Sequence, residues 1–204
     1  MMITENPSLP DIAAIIMASG QSRRFGSEKL MAVLAGKPVI SYIADRLSDM
    51  FLYTVLVTRS SSVQEYALSK GFNVILHDLP GRNDTIGLGI AALPDHIKGC
   101  LFFQGDQPFI RKETISGLIE TALKNPGFII RSSFQGIPSS PVYFPRWTFE
   151  ELSSLPQGRG GNYLFPLYPE KILDFSIEDP EEIKDIDSAE DLLQAEKIIS
   201  HFII

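Results

Sequence analysis

The chain has 204 residues, 44% of them hydrophobic and 21% charged, the balance of a folded protein long enough to bury a core without disulfides or a structural metal. Eighteen Lys and Arg against 25 Asp and Glu give a formal net charge of −7. The overall field therefore favours neither nucleic acid nor an anionic membrane, and an anionic ligand must be held by a local cluster of cations.

Residues 1–10, with Pro7 and Pro10, read as a flexible leader lacking the basic start and long apolar stretch of a signal peptide, and residues 11–204 read as one domain. The run 12–17 is apolar on both faces, which suits a central strand of a parallel sheet. A polar, glycine-bearing loop fills 18–28. Pro38 suits the first turn of a helix reaching Leu47. A strand over 52–58 and a helix over 62–70, stopped by Gly71, come next. Strand 72–76 precedes a helix over 85–93, closed by Pro94. Strand 100–104 contains the single cysteine, Cys100, which excludes a disulfide framework and reads as a buried, inert thiol. A helix over 112–123 completes four alternations of strand and helix, the pattern of right-handed βαβ units. Beyond Gly127 the rhythm loosens into shorter strands at 128–131, 142–144 and 172–177, one of them antiparallel, with an irregular cover over 132–170. A closing amphipathic helix spans 188–200, and Ser188 with Asp191 has the spacing of a capping box. The expected fold is α/β: a single three-layer αβα sandwich on a mostly parallel, Rossmann-like sheet. No apolar run approaches the ~18 residues needed to span a bilayer, so the chain is expected to be soluble and cytoplasmic.

In an open α/β sheet, ligands bind beyond the carboxyl ends of the strands. The first such loop reads Ala18-Ser19-Gly20-Gln21-Ser22-Arg23-Arg24-Phe25-Gly26-Ser27-Glu28-Lys29. Counting excludes two familiar phosphate loops. Walker A has four residues between its glycines, whereas five separate Gly20 from Gly26; the dinucleotide fingerprint needs a glycine where Ser22 stands. What remains is a small-residue turn (Ala18, Ser19, Gly20) that lets the backbone approach a ligand, followed by Arg23, Arg24 and Lys29. Arg24 suits a bidentate grip on phosphate and Lys29 supplies a point charge. A solvated surface loop would account for the charges alone. The preceding strand, the small residues and the acidic background favour a phosphate site.

Asp106 follows strand 100–104, between Gly105 and Gln107-Pro108. A hard cation such as Mg²⁺ takes one or two carboxylates and completes its shell with water and phosphate oxygens. Capping a turn is the competing reading of Asp106. Gly87 and Gly89 inside a helix cost about 1 kcal/mol each relative to Ala, which points to close approach of a ligand or a neighbouring element. His77, His96 and His201 are too scattered for a zinc site and are expected at surface or turn positions.

Ala18-Ser19-Gly20-x-Ser22-x-Arg24-x-Gly26-x-x-Lys29 resembles the signature loop of the MobA-like nucleotidyltransferases, most closely the molybdenum cofactor cytidylyltransferases, with L-A-A-G-x-S-x-R-x-G-x-x-K. The likeness extends to Leu30 and Gly36-Lys37-Pro38 and covers nearly everything from residue 11 onward. It implies that Ala18, Ser19, Gly20, Arg24 and Lys29 wrap a nucleoside triphosphate. Cytidylyl enzymes tend to carry Ala at position 19 and guanylyl enzymes Gly; this chain has Ser19. Gly105-Asp106-x-Pro108 resembles the family's Mg²⁺-holding G-D-x-P. The segment from Asp185 to Leu192 resembles D-I-D-T-P-E-D-L, which makes Asp187 the second metal ligand, while Asp187 or Ser188 must also cap the last helix. Gly81-x-x-x-Thr85-x-x-x-Gly89 resembles the stretch that sits against base and ribose, so Gly81 and Thr85 join the nucleotide-binding residues. Two segments depart from the family: Ser139 and Ser140 replace Gly and His before Pro141, and Arg159 replaces the acid of G-D-x-G. Both fall where the acceptor should bind.

The activity this implies is Mg²⁺-dependent transfer of CMP from CTP to a molybdopterin-type molybdenum cofactor, with release of pyrophosphate, with Lys29, Arg24 and Asp106 catalytic, and with contact to a molybdoenzyme. A phosphate monoester has its second pKa near 6, so the attacking oxygen is already anionic and no general base is needed. The alternatives are a guanylyl or sugar-phosphate nucleotidyltransferase of the same fold, or a non-catalytic protein that binds and delivers the nucleotide or cofactor.

Overall fold

The computed structural model describes residues 11–20, 25 and 28–202, with side chains through Ile199. The expected leader 1–10, together with Ser22, Arg23, Arg24 and Gly26 of the expected phosphate loop, lies outside the described residues. In chain order the elements are β1 (Ile12–Ala18), β2 (Val33–Leu34), β3 (Lys37–Pro38), α1 (Val39–Leu47), β4 (Thr54–Thr58), α2 (Ser61–Ser69), β5 (Asn73–Leu76), α3 (Arg82–Ala91), β6 (Gly99–Gln104), α4 (Lys112–Lys124), β7 (Ile129–Phe134), β8 (Ile137–Pro145), α5 (Phe149–Ser153), β9 (Ile172–Ser176) and α6 (Ala189–Phe202).

The main sheet runs β5-β4-β1-β6-β8-β7-β9. Its strands are parallel except β8, which is antiparallel to both β6 and β7. Alternation along β1 explains the layers. Ile12, Ala14 and Ile16 point into a core shared with Ile40 and Ile43 of α1, Val63 of α2 and Leu118 of α4. Ala13 and Ile15 point the other way, toward Ile86 and Ile90 of α3 and Leu152 of α5. Successive strand residues face opposite sides, so a strand covered by helices on both faces must be apolar throughout, as 12–17 is. The expected three-layer α/β sandwich is what the chain forms. Cys100 is fully buried and burial pushes its thiol well up, which keeps it inert. Among the described residues, no helix is long and apolar enough to cross a membrane.

Two expectations are corrected. The irregular cover does not begin at 132: residues through Pro145 form the β7–β8 hairpin inside the sheet, closed by Gln135 and Gly136, both at positive φ. The expected strands 128–131 and 142–144 are the buried ends of this pair; Ser132, Ser133, Pro138, Ser139 and Ser140 concealed the rest, because their polarity and the proline argue against a sheet. What lies outside the sheet is 146–171, whose Phe149, Leu152, Leu155 and Leu164 are buried over the α3 face. The third helix begins at Arg82 rather than Thr85, a turn earlier, because Asp84 Oδ2 accepts the Gly81 N–H at 2.8 Å and completes a first turn the sequence pattern did not reveal.

The two helical glycines separate cleanly. A Cβ on Gly89 would lie 2.8 Å from Ile15 Cγ2, so α3 packs on β1 through this residue, whereas a Cβ on Gly87 meets nothing nearer than 3.6 Å. Gly89→Ala is expected to cost about 1–3 kcal/mol by overpacking, and Gly87→Ala to gain up to about 1 kcal/mol of helix propensity. Thermal unfolding checks both, at roughly 2–4 °C per kcal/mol for a chain of this size; equal shifts for the two variants would contradict the packing.

Candidate active site

The carboxyl ends of the parallel strands open onto a cleft of about 1030 Å³. Lys29 begins a short 3-10 turn, Lys29–Met31, and its side chain is buried. Asp106 follows β6. The Gly105 N–H donates to Met17 O at 3.0 Å, and a Cβ on Gly105 would lie 2.9 Å from Ile40 Cδ1, so the backbone there runs close to β1 and turns Asp106 toward the cleft. Asp187 arrives on the segment before α6, which is fastened by Ile186 N–H to Asp106 O at 2.9 Å. Lys29 Nζ lies 2.5 Å from Asp106 Oδ2 and 2.8 Å from Asp187 Oδ1. Burial pulls the Lys29 amine down, but Asp106 and Asp187 together outweigh it and hold it above its ordinary value, hence charged.

The capping question resolves in favour of Ser188. Its Oγ accepts the Asp191 N–H at 3.2 Å, while Asp191 Oδ2 accepts from Ser188 N at 2.8 Å and Ser188 Oγ at 2.7 Å. Asp187 is thus released from capping and its carboxylate faces Lys29.

Of the other expected residues, Ser19, Gly20, Gly81 and Thr85 line the cleft. Ala18 is buried, its carbonyl taken by Thr58 Oγ1 at 3.0 Å, so it backs the loop instead of fronting the ligand space. Arg24 lies outside the described residues. His96 is exposed in a turn, as expected, and the His201 side chain lies outside those described. His77 is a correction. It follows β5 half-buried, with Nε2 2.8 Å from Ser19 Oγ, because the chain leaving β5 reaches across the end of β4 to the carboxyl end of β1.

Three cleft residues escaped the sequence reading. Arg59, after β4, donates from Nε to Ser19 O at 3.1 Å. Arg82 lines the cleft at the start of α3, where its stem packs against Gly160. Asp185 lies beside Asp106 and Asp187. Loss of water, then the Asp106 charge, push its carboxyl up to about 6, against a lowering hydrogen bond from Gln107. A signal for Asp185 existed: it and Asp187 flank Ile186, which is buried, so an extended segment turns both acids to one side.

The far side of the cleft is made of neutral polar groups, with Arg82 beside them at Gly160. Gln104, Ser139, Ser140 and Asn162 line it over an aromatic floor of Phe102 and Phe144. Gly161 seats its loop on that floor, since a Cβ there would lie 2.6 Å from Phe144 Cζ. Arg159 stands off the cleft against the Tyr163 ring, 6.0 Å from its centroid.

Among the described residues, no group of three or more His, Cys, Asp or Glu has the arrangement of a metal cage. Asp106 and Asp187 instead offer two carboxylates converging on one point, now occupied by Lys29 Nζ. That donor set suits a hard cation that completes its shell with water and substrate phosphate.

The family described as MobA-like NTP transferase domain matches residues 14–171. The chain is 31% identical over 122 residues to a probable molybdenum cofactor guanylyltransferase of Natranaerobius thermophilus, a match covering 59% of each. It is 26% identical over 136 residues to a 2-C-methyl-D-erythritol 4-phosphate cytidylyltransferase of Dictyoglomus thermophilum, covering 62% of this chain and 57% of that protein. The chain therefore matches little more than half the length of these curated relatives. Among solved structures, Rv0371c from Mycobacterium tuberculosis H37Rv superposes with a TM-score of 0.82 at 20% identity, over 91% of this chain and 98% of that one. The same mycobacterial protein has a structure in complex with manganese, with a TM-score of 0.74 at 18% identity, over 91% of this chain and 98% of that one.

Ser188→Ala is expected to cost about 0.5–2 kcal/mol through the lost cap, read as a lower midpoint in thermal unfolding. An unchanged midpoint would mean that Ser188 does not cap α6.

Proposed function

The chain belongs to the MobA-like NTP transferase domain family, and on that premise we propose that it transfers a nucleoside monophosphate from a nucleoside triphosphate to a phosphorylated acceptor. The observation that carries this reading is the meeting of Lys29, Asp106 and Asp187 at the cleft, from positions 77 and 158 residues apart in the chain.

The acceptor's phosphate oxygen attacks the α-phosphorus in line, and the bond to the bridging oxygen of the β-phosphate breaks. Pyrophosphate leaves with that electron pair. The attacking oxygen is already anionic, so no side chain removes a proton. The protein's work is alignment of two anions and neutralisation of the charge between them. The cationic Lys29 amine serves the triphosphate, joined by the sequence-assigned Arg24 and by backbone N–H groups at Ser19 and Gly20. Asp106 and Asp187 are the residues that would hold Mg²⁺, which supplies charge neutralisation on the phosphates when bound; the manganese complex of the structurally similar mycobacterial protein supports a divalent cation. Thr85 and Gly81 take the nucleoside side, and the neutral wall with Ser139, Ser140 and Asn162 takes the acceptor.

For the donor we infer CTP, and for the acceptor a molybdopterin-type cofactor, from the likeness of the 18–29 loop to the cytidylyl enzymes. The guanylyltransferase name of the Natranaerobius relative supports GTP as the second reading. Competition among radiolabelled CTP, GTP, ATP and UTP decides between them. Lys29→Ala and Asp106→Ala are each expected to lower pyrophosphate release about a hundredfold or more, the scale of single electrostatic stabilisers. Turnover close to wild type in either variant removes that residue from the mechanism. A thermal-shift panel of the four triphosphates with Mg²⁺ reads binding independently of turnover, because a ligand that binds the native state stabilises it.

A further inference from the structure

The carboxyl end of β1 is fastened by side chains from the ends of the neighbouring strands β4 and β5. Thr58 Oγ1 donates to Ala18 O at 3.0 Å, and Arg59 Nε to Ser19 O at 3.1 Å. The Ser19 hydroxyl has two partners, Val57 O at 3.2 Å and His77 Nε2 at 2.8 Å. His77 is itself held in place by its N–H on Thr58 O at 3.1 Å.

A carbonyl oxygen only accepts, so both contacts are hydrogen bonds at once only when the Ser19 hydroxyl gives its proton to Val57 O. The short contact to the imidazole then requires Nε2–H to donate to Ser19 Oγ. In that tautomer Nδ1 carries a lone pair, and it is buried without a hydrogen-bond partner. Burial, then the Arg59 charge, hold the ring below its ordinary value, which keeps it neutral near pH 7. Leaving a buried nitrogen unpaired costs stability, and packing alone gains nothing from it. The ring's orientation instead serves the Ser19 contact.

We propose that His77 is a positioning residue for the nucleotide: as the Nε2–H tautomer it fixes the Ser19 hydroxyl, and with it the backbone of Ser19 and Gly20 that fronts the cleft. The inference rests on the nucleotide reading of the 18–29 loop and adds a residue that the loop motif does not contain. With its proton on Val57 O and one lone pair on His77, Ser19 keeps a single lone pair for the ligand. Its rotamer is fixed before binding, which lowers the ordering cost of association.

The test is calorimetric titration of Mg²⁺–CTP and Mg²⁺–GTP into wild type, His77→Ala, His77→Gln, Ser19→Ala and the Ser19/His77 double alanine variant, with steady-state kinetics on the same set. His77→Ala is expected to weaken binding of the preferred nucleotide about tenfold, the scale of one buried hydrogen bond, raising KM while kcat stays close to wild type. His77→Gln, whose amide N–H reaches the same oxygen, restores most of the loss. The double variant binds no more weakly than Ser19→Ala, because both changes remove one contact. Long-range ¹H–¹⁵N spectra of the imidazole report the Nε2–H tautomer in wild type and a changed Nε2 environment in Ser19→Ala. Unchanged binding in His77→Ala, additive losses in the double variant, or an Nδ1–H tautomer in wild type each overturn the proposal. Wild-type protein that binds no triphosphate overturns the underlying nucleotide reading instead.

Discussion

Two carboxylates share one side of the cleft because a single buried ammonium stands between them. Without Lys29 Nζ, Asp106 and Asp187 would repel across a partly dehydrated space, and beside them Asp185 has its pKa raised first by loss of water and then by the Asp106 charge. The arrangement is costly in isolation, since each ion loses water, and it persists because the backbone leaves little choice. Gly105 N–H is fixed to β1, Ile186 N–H is fixed to Asp106 O, and α6 is capped by Ser188. The charges are imposed by the scaffold, which is the form of preorganisation an electrostatic mechanism needs.

Much of this was legible in the sequence, for identifiable reasons. β1, β4 and β6 are buried on both faces and so had to be apolar without alternation, and the alternating helices could only be crossovers. Lys29 and Asp106 were readable because each sits next to a backbone constraint, a small-residue turn and a strand end. The strands expected at 128–131 and 142–144 are the buried ends of β7 and β8, but the rest of the hairpin was not readable, since Ser132, Ser133, Ser139 and Ser140 carry no strand signal. β8 holds its place through its buried end, Tyr143 and Phe144, and through pairing with β6 and β7. His77 and Arg59 were invisible for a different reason. Nothing in their local sequence marks them, and only the adjacency of β5, β4 and β1 brings them to Ser19.

The cleft divides by charge. Lys29, Arg59 and the three aspartates stand at the carboxyl ends of the β1, β4 and β6 strands or on the segment before α6, while the opposite wall of Ser139, Ser140, Gln104 and Asn162 is uncharged apart from Arg82 beside Gly160. A reaction between two anions benefits from such a division. Cations and carboxylates are needed where the phosphates are dense, whereas an acceptor is better oriented by neutral hydrogen-bonding groups that neither repel its phosphate nor hold it too tightly. The two departures from the family pattern fit the same division: Ser140 leaves its wall without a titrating imidazole, and Arg159 stacks on Tyr163 outside the cleft.

The reversed strand supplies that second wall. In a wholly parallel sheet every strand beside β6 would present its carboxyl end to the cleft and send the chain away into a crossover helix. β8 runs the other way, pairing Phe102 with Val142 and Gly99 with Pro145, so its early residues come up beside the end of β6. There Ser140 Oγ accepts from Gln104 Nε2 at 3.5 Å, and Pro138 and Ser139 join the lining. The same reversal sends the chain after Pro145 to the opposite end of the sheet. It must then cross back over the α3 face before Gly160, Gly161 and Asn162 can reach the cleft, and the buried Phe149, Leu152 and Leu164 hold that return path down. One antiparallel strand thus accounts both for the neutral wall of the cleft and for the irregular segment that closes over it.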